Sequence, residues 1–307
     1  MIIQHLFPIF ALILLGVMLK RLRMTGADYL ATTDRLVYYV FFPVLLFWKI
    51  GGANQTLTPG AMRFYLAVIL AVIVIYALST LYIRLRPVTD FQAGTFSQSC
   101  YRFNTYVGMA VILSVMGESG VAQFGILIGL VIPLINILAV TTLIWFSGRP
   151  AGWRQRLRAT VRSILTNPLV LGCAAGLIYA RWINTFPRFI DNTLALAAAL
   201  TLPLALFSVG GSLTPSTLTR HFRLALAGSI FKLVLLPATG YGVMRLLGVA
   251  DSYFFMGMLF FALPTSTAIY VLSSQLGSDT QLASAAILLS TALSFASLSL
   301  VLWWMHG

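Results

Sequence analysis

Two short polar clusters interrupt otherwise apolar stretches, and they hold the residues of this chain best suited to bind a ligand. The first is Gln98-Ser99-Cys100-Tyr101-Arg102-Phe103-Asn104-Thr105-Tyr106-Val107-Gly108. The second is Leu263-Pro264-Thr265-Ser266-Thr267-Ala268. Together they offer a guanidinium, an amide and several hydroxyls, and neither contains a carboxylate. A donor-rich site without its own carboxylate suits an anion, most directly a carboxylate. Pro264 removes a backbone hydrogen bond and crowds the preceding turn. Asn104 and Gly108 accept non-helical backbone more readily than most residues. Both stretches are therefore expected to unwind, near Asn104–Gly108 and Pro264–Thr267. Unwound backbone at membrane depth persists only where protein or a watery cavity satisfies it, and two broken helices crossing there would supply that cavity. Half-helices starting at such breaks aim their positive ends and N–H groups inward. The candidate substrate-binding residues are Arg102, Asn104, Thr105, Pro264, Thr265, Ser266 and Thr267.

Each side chain also has a plainer use. Ser and Thr in a membrane helix more often bond the preceding turn or a neighbouring helix. Arg102 is costly to bury unless paired or hydrated; no acid lies in a central segment, and Asp34 sits near one end of its run. Snorkelling to the cytoplasmic interface is therefore open to Arg102 beside a substrate role. Lys232, deep in its own run, is divided between a structural partner and a coupling group. Asn136, beside Pro133, fits a packing hydrogen bond better than a ligand.

Several chemistries lack their residues. His5, His221 and His306 fall at the ends of apolar runs and no aspartate pair exists, which speaks against an intramembrane protease. No cluster of His, Cys and carboxylates has metal-ligand spacing, so no metal and no cofactor is expected, and the chain is read as no enzyme. A cation/proton antiporter needs a central acid, and no charged ring or carbonyl filter of a channel is legible.

The elements that carry the clusters are set by composition. The chain has 307 residues, 59% hydrophobic and 9% charged, whereas a soluble domain carries roughly a quarter charged. Apolar runs of spanning length lie at 2–19, 29–48, 62–83, 92–116, 121–146, 165–183, 191–212, 223–247, 253–276 and 282–305, which predicts an all-α integral membrane protein of ten helices. The net charge of +13 collects in the loops, as orientation signals do, so no nucleic-acid partner is expected; the partner is the lipid bilayer. Alternating the loops puts thirteen Lys and Arg on one side and five on the other, which places both termini outside and the basic 147–164 loop in the cytoplasm. Cys100 and Cys173 lie inside apolar runs and predict no disulfide. The N-terminal run lacks a charged leader and a cleavage site, and is read as a retained span.

An internal echo recurs at an offset of 160 residues. Pro8 maps to Pro168, Gly16 to Gly176, Pro43 to Pro203, Gly51 to Gly211, Thr105 to Thr265 and Gly117 to Gly277. Five spans separate corresponding positions, and an odd number inverts the second copy, a construction used by secondary transporters. The expected organisation is a first repeat at 1–146, the loop at 147–164 and a second, inverted repeat at 165–307.

The stretch Arg102–Ala110, the tetrad Asn167-Pro168-Leu169-Val170 and Leu263–Ala268 resemble the auxin efflux carrier family, which includes plant auxin exporters and bacterial permeases. The resemblance covers essentially the whole chain in span count and order. It implies two inverted five-helix repeats, a scaffold and a transport domain, helices four and nine broken and crossing, and elevator-type alternating access. It also implies carboxylate substrates such as auxin, malate or malonate, and allows a homodimer. In the common pattern a proline follows the glycine of helix four; here Ala110 stands near that place, and a milder first break is expected. The short basic central loop looks bacterial, which implies the inner membrane. The competing readings are a sodium-coupled symporter of bile-acid type and a membrane sensor that binds without moving its ligand.

Overall fold

The computed structural model describes residues 2–53, 59–146, 158, 161–162, 165–183, 185–213 and 218–306. All regular structure among them is helical. Seven helical runs among the described residues are long and apolar enough to cross a membrane, and Pro168–Trp182 is a shorter apolar helix. Apart from Arg158, Val161 and Arg162, the basic 147–164 loop lies outside the described residues.

The first helix, α1, covers Ile2–Arg21 and closes on Lys20 and Arg21, cations that complement the carbonyl end. α2 (Ala27–Leu36) continues through a widened π-turn at Val37–Phe41 into α3 (Phe42–Gly51). α9 (Leu218–Ile230) does the same through Phe231–Leu235 into α10 (Leu236–Leu246). Each π-turn directly precedes a proline in the first turn of the next helix, Pro43 and Pro237. A proline ring clashes with the carbonyl four residues back, and a wider turn relieves that clash. Between them come α4 (Pro59–Leu85), α5 (Asp90–Tyr101), α6 (Thr105–Phe146), α7 (Pro168–Trp182) and α8 (Arg188–Ser212). α7 opens on an N-cap: the Asn167 side chain accepts from Leu169 N at 3.0 Å and Val170 N at 3.3 Å. α11 (Asp251–Phe261), α12 (Ala268–Leu276) and α13 (Thr280–His306) complete the chain.

The interruption expected over Asn104–Gly108 stands earlier in the chain. α5 stops at Tyr101, residues 102–104 are non-helical, and Val107 and Gly108 are already inside α6. The second interruption covers Ala262–Thr267, which contains the expected Pro264–Thr267. α6 bends at Gly117, whose φ of +68° suits only glycine, and Gly277 ends α12 at φ +73°. These two glycines lie 160 residues apart, as do the last residues of α5 and α11.

The chain forms two compact units. The first comprises Met1–Leu57, Thr105–Pro133 and Ile164–Leu213. In it α1 lies on α8 and α3 on α7, and both crossings are made where glycines let backbones touch. Gly16 meets the Phe207 carbonyl, Gly210 the Ile13 carbonyl, Gly172 the backbone of Pro43 and Gly176 the side chain of Ile50. Thr201 Oγ1 donates to Phe41 O at 3.1 Å, again across 160 residues. Polar groups near one end of α3 are paired: Trp48 Nε1 donates to Asp191 Oδ1 at 2.7 Å, and Lys49 forms an ion pair with Glu118.

The second unit comprises Thr58–Asn104, Leu134–Ser163 and Thr214–Gly307. Here α9 packs on α13 and α5, α4 on α5, α10 and α11, and α12 on α5 and α13. Phe96, Tyr101, Phe103, Phe260 and Phe261 are fully buried in its core. The turn after α12 is tied to the start of α5: Ser278 Oγ donates to Phe91 O at 2.7 Å and Asp279 N to the same carbonyl at 3.1 Å. Asp279 then caps α13, accepting from Leu282 N at 2.9 Å.

Candidate functional site

The two breaks meet inside the second unit. Asn104 N donates to Pro264 O at 2.9 Å, so the polar cluster of each broken segment satisfies the other. The Thr265 hydroxyl donates to Ser99 O at 2.9 Å, a carbonyl in the last turn of α5, where helices leave acceptors without intrahelical partners. Thr265 N in turn donates to Ser290 Oγ on α13 at 3.1 Å. On the other side of the break, Lys232 Nζ donates to Phe261 O at 3.1 Å and Ser297 Oγ to Ala262 O at 2.8 Å. The rings of Phe103 and Phe260 meet edge-on at 4.5 Å. One carbonyl in the last turn of α5 and two at the end of α11 are thus closed by groups from elsewhere in the unit.

Of the residues singled out from sequence, the second unit brings together Arg102, Asn104, Pro264, Thr265, Ser266 and Thr267. Thr105 opens α6, is half-buried, and belongs to the first unit. Arg102, Asn104, Pro264 and Thr265 are buried, whereas Ser266 and Thr267 keep accessible surface. Arg102 is only 7% exposed, so its guanidinium does not snorkel out to the surface of the protein. The start of α12 is less open than a bare helix N-terminus: Ser266 Oγ accepts from Ala268 N at 3.2 Å and Ser266 O from Ile269 N at 3.3 Å. The Thr267 hydroxyl makes no hydrogen bond among the described residues, which leaves it available to a ligand. Among the described residues, the Gln98 side-chain oxygen and the Thr291 hydroxyl are buried without a hydrogen-bond partner, on α5 and α13 respectively.

Sequence reasoning placed Ser99 in the first cluster without a role of its own and missed Ser290 and Ser297, because each acts through a partner on another segment. Thr265 carries two of the cross-links and is the most exacting position. Thr265→Val keeps the side-chain shape but strands the Ser99 carbonyl in the interior, and is expected to cost about 1–3 kcal/mol of stability. Thr265→Ser, which keeps the hydroxyl, is expected to lose much less. Thermal melting of the purified variants checks this, and equal melting of the two would mean that the hydroxyl bond contributes nothing.

Residues 153–303 match the model of a family described as Membrane transport protein. Over 311 aligned positions the chain is 28% identical to the "Putative malonate transporter" of Rhizobium meliloti (strain 1021), with 96% of this chain and 93% of that protein covered. Over 205 positions it is 24% identical to an uncharacterized transporter of Methanocaldococcus jannaschii, with 64% of this chain and 63% of that protein covered. The chain is a membrane transporter, and residues 153–303, just under half of it, are similar to the membrane transport protein family.

Proposed function

We propose that this transporter moves small organic anions, carboxylates first among them, through the crossover of the second unit by elevator-type alternating access. The observation that carries the reading is the bond from Asn104 N to Pro264 O. Two positions 160 residues apart, each in the middle of a broken helix, meet at one point, as positions related by a twofold axis do. The bond between Thr201 and Phe41, the matched ends of α5 and α11, and the positive φ of Gly117 and Gly277 support the same relation. The reading is ten transmembrane helices in two inverted five-helix repeats, 1–146 and 165–307, an architecture that secondary transporters use to bind cargo at the midplane. Arg102, the amide of Asn104, and the hydroxyls of Ser266 and Thr267 supply donors and no acid. A relative named for malonate makes that dicarboxylate the first probe. The thirteen-to-five basic bias supports both termini outside and the 147–164 loop in the cytoplasm, and the short central loop, bacterial in look within the family resemblance, supports the inner membrane. Labelling of a cysteine at 156 from the cytoplasmic face alone is the expected result.

Uptake of labelled malonate into proteoliposomes, with competition by a panel of mono- and dicarboxylates, tests the proposal. Saturable uptake that carboxylates compete and sodium does not drive is the expected result. Sodium dependence would favour the bile-acid-type symporter instead, and binding without flux a sensor. Asn104→Ala is expected to weaken apparent affinity by roughly 0.5–1.5 kcal/mol, the net value of one hydrogen bond. Asn136→Ala, in half-buried surroundings on α6, should leave affinity unchanged. Equal affinity losses at both positions would move the site away from the crossover.

A further inference from the structure

Lys232 lies in the π-turn ahead of Pro237 and is completely buried. Its Nζ donates to Phe261 O at 3.1 Å, the carbonyl of the last residue of α11. Helix ends of this kind present unsatisfied carbonyls and a partial negative charge. The neighbouring carbonyl, Ala262 O, is closed by the neutral hydroxyl of Ser297 at 2.8 Å. A neutral donor is therefore sufficient to satisfy a carbonyl at this break, and the choice of an ammonium at Phe261 needs a second reason.

The distribution of charge supplies it. The acids of the second unit are Asp90, Asp251 and Asp279. Asp90 and Asp251 begin α5 and α11, and Asp279 caps α13. All three therefore stand at helix starts, and none is at the break. Buried cations without a built-in counter-ion are costly in a membrane protein and mark ligand or ion paths. Lys232 therefore puts a basic group on the carbonyl end of α11, where its charge offsets a negative end that would otherwise repel an anion entering between the half-helices.

We propose that Lys232 is a positioning residue of the crossover, which closes the carbonyl end of α11 and supplies positive charge that fits the site to anions. The charge role rests on the anion reading above; the closing role does not. Full-length Lys232→Met, Lys232→Gln and Lys232→Arg are compared in two measurements. In hydrogen exchange on the purified protein, Lys232→Met should speed exchange of the Ala262 and Leu263 amides by about fivefold, with α1 and α8 unaffected. Lys232→Gln, still a donor, should restore protection. In proteoliposomes, Lys232→Gln should raise KM for labelled malonate by about tenfold or more, and Lys232→Arg should recover most of it. Unchanged exchange in Lys232→Met overturns the closing role, and a wild-type KM in Lys232→Gln overturns the charge role. Should Lys232→Met not fold, exchange in Lys232→Gln and Lys232→Arg decides, since the closing role requires near-wild-type protection in both. A wild-type protein that moves no malonate or other carboxylate sinks the anion pathway and the charge role together, while the exchange result still judges the closing role.

Discussion

Gly210→Val is expected to leave almost no monodisperse protein, with a stability loss above about 3 kcal/mol, the upper end for ordinary overpacking. A β-carbon on Gly210 would fall on the carbonyl oxygen of Ile13, with the carbonyl carbon at 2.8 Å. Gly16 faces the carbonyl of Phe207 in the same way, with Gly211 N at 3.0 Å. These neighbours are backbone, so no rotamer change can make room, and α1 must separate from α8. Helices in a bilayer gain little from the hydrophobic effect against each other and depend on close packing, which makes separation expensive. Gly242→Val is the control: a β-carbon there meets nothing within 4 Å, and its variant should elute and melt close to wild type. Size-exclusion profiles and melting temperatures of the three proteins provide the check. A Gly210 variant that behaves like the Gly242 variant would mean that the α1–α8 contact is looser than described.

The legible parts of the fold were those written locally. Apolar runs bounded by basic residues gave the helices, and Pro264 marked the second break because a proline cannot sit in unbroken helix without losing a bond. The first break carries no proline, and Gly108, expected to help unwind it, is helical. Glycine permits non-helical backbone without requiring it. What ends α5 at Tyr101 is tertiary: Thr265 takes up Ser99 O, and Pro264 O takes up the amide of Asn104. Both partners come from the second cluster, so the position of the first break is fixed by residues more than 150 positions away. Ser290, Ser297 and the bonded state of Lys232 were illegible because a serine that bonds a backbone group of another segment looks like any serine facing its own preceding turn. The offset of 160 was the one long-range signal that the sequence did carry. It paired Thr105 with Thr265 and Gly117 with Gly277, the neighbours of the contact between Asn104 and Pro264 and the two positive-φ glycines.

Arg102→Gln is expected to lower kcat/KM for labelled malonate by roughly 10- to 100-fold, the loss that goes with removing one hydrogen bond to a charged group. Two placements motivate it. Arg102 follows α5 at the break, its backbone N–H still donating to Gln98 O at 3.0 Å, and its side chain is buried. A guanidinium that merely anchored the helix at a membrane surface would be exposed, and glutamine would replace it at little cost. A guanidinium held within the protein beside the paired breaks has no such role, and its removal also strips positive charge from the carbonyl end of α5. Arg102→Lys separates charge from geometry. Lysine returns a point charge without the planar fork that grips a carboxylate at two points, so recovery should be partial and should appear in KM before kcat. The loss at Arg102→Gln should exceed that at Asn104→Ala, which removes a neutral donor. Melting temperatures measured alongside keep a folding defect apart from a binding one. A well-folded Arg102→Gln with wild-type KM would show that cargo charge is held elsewhere, and would leave the hydroxyls of Ser266 and Thr267 and the charge of Lys232 to account for anion selection.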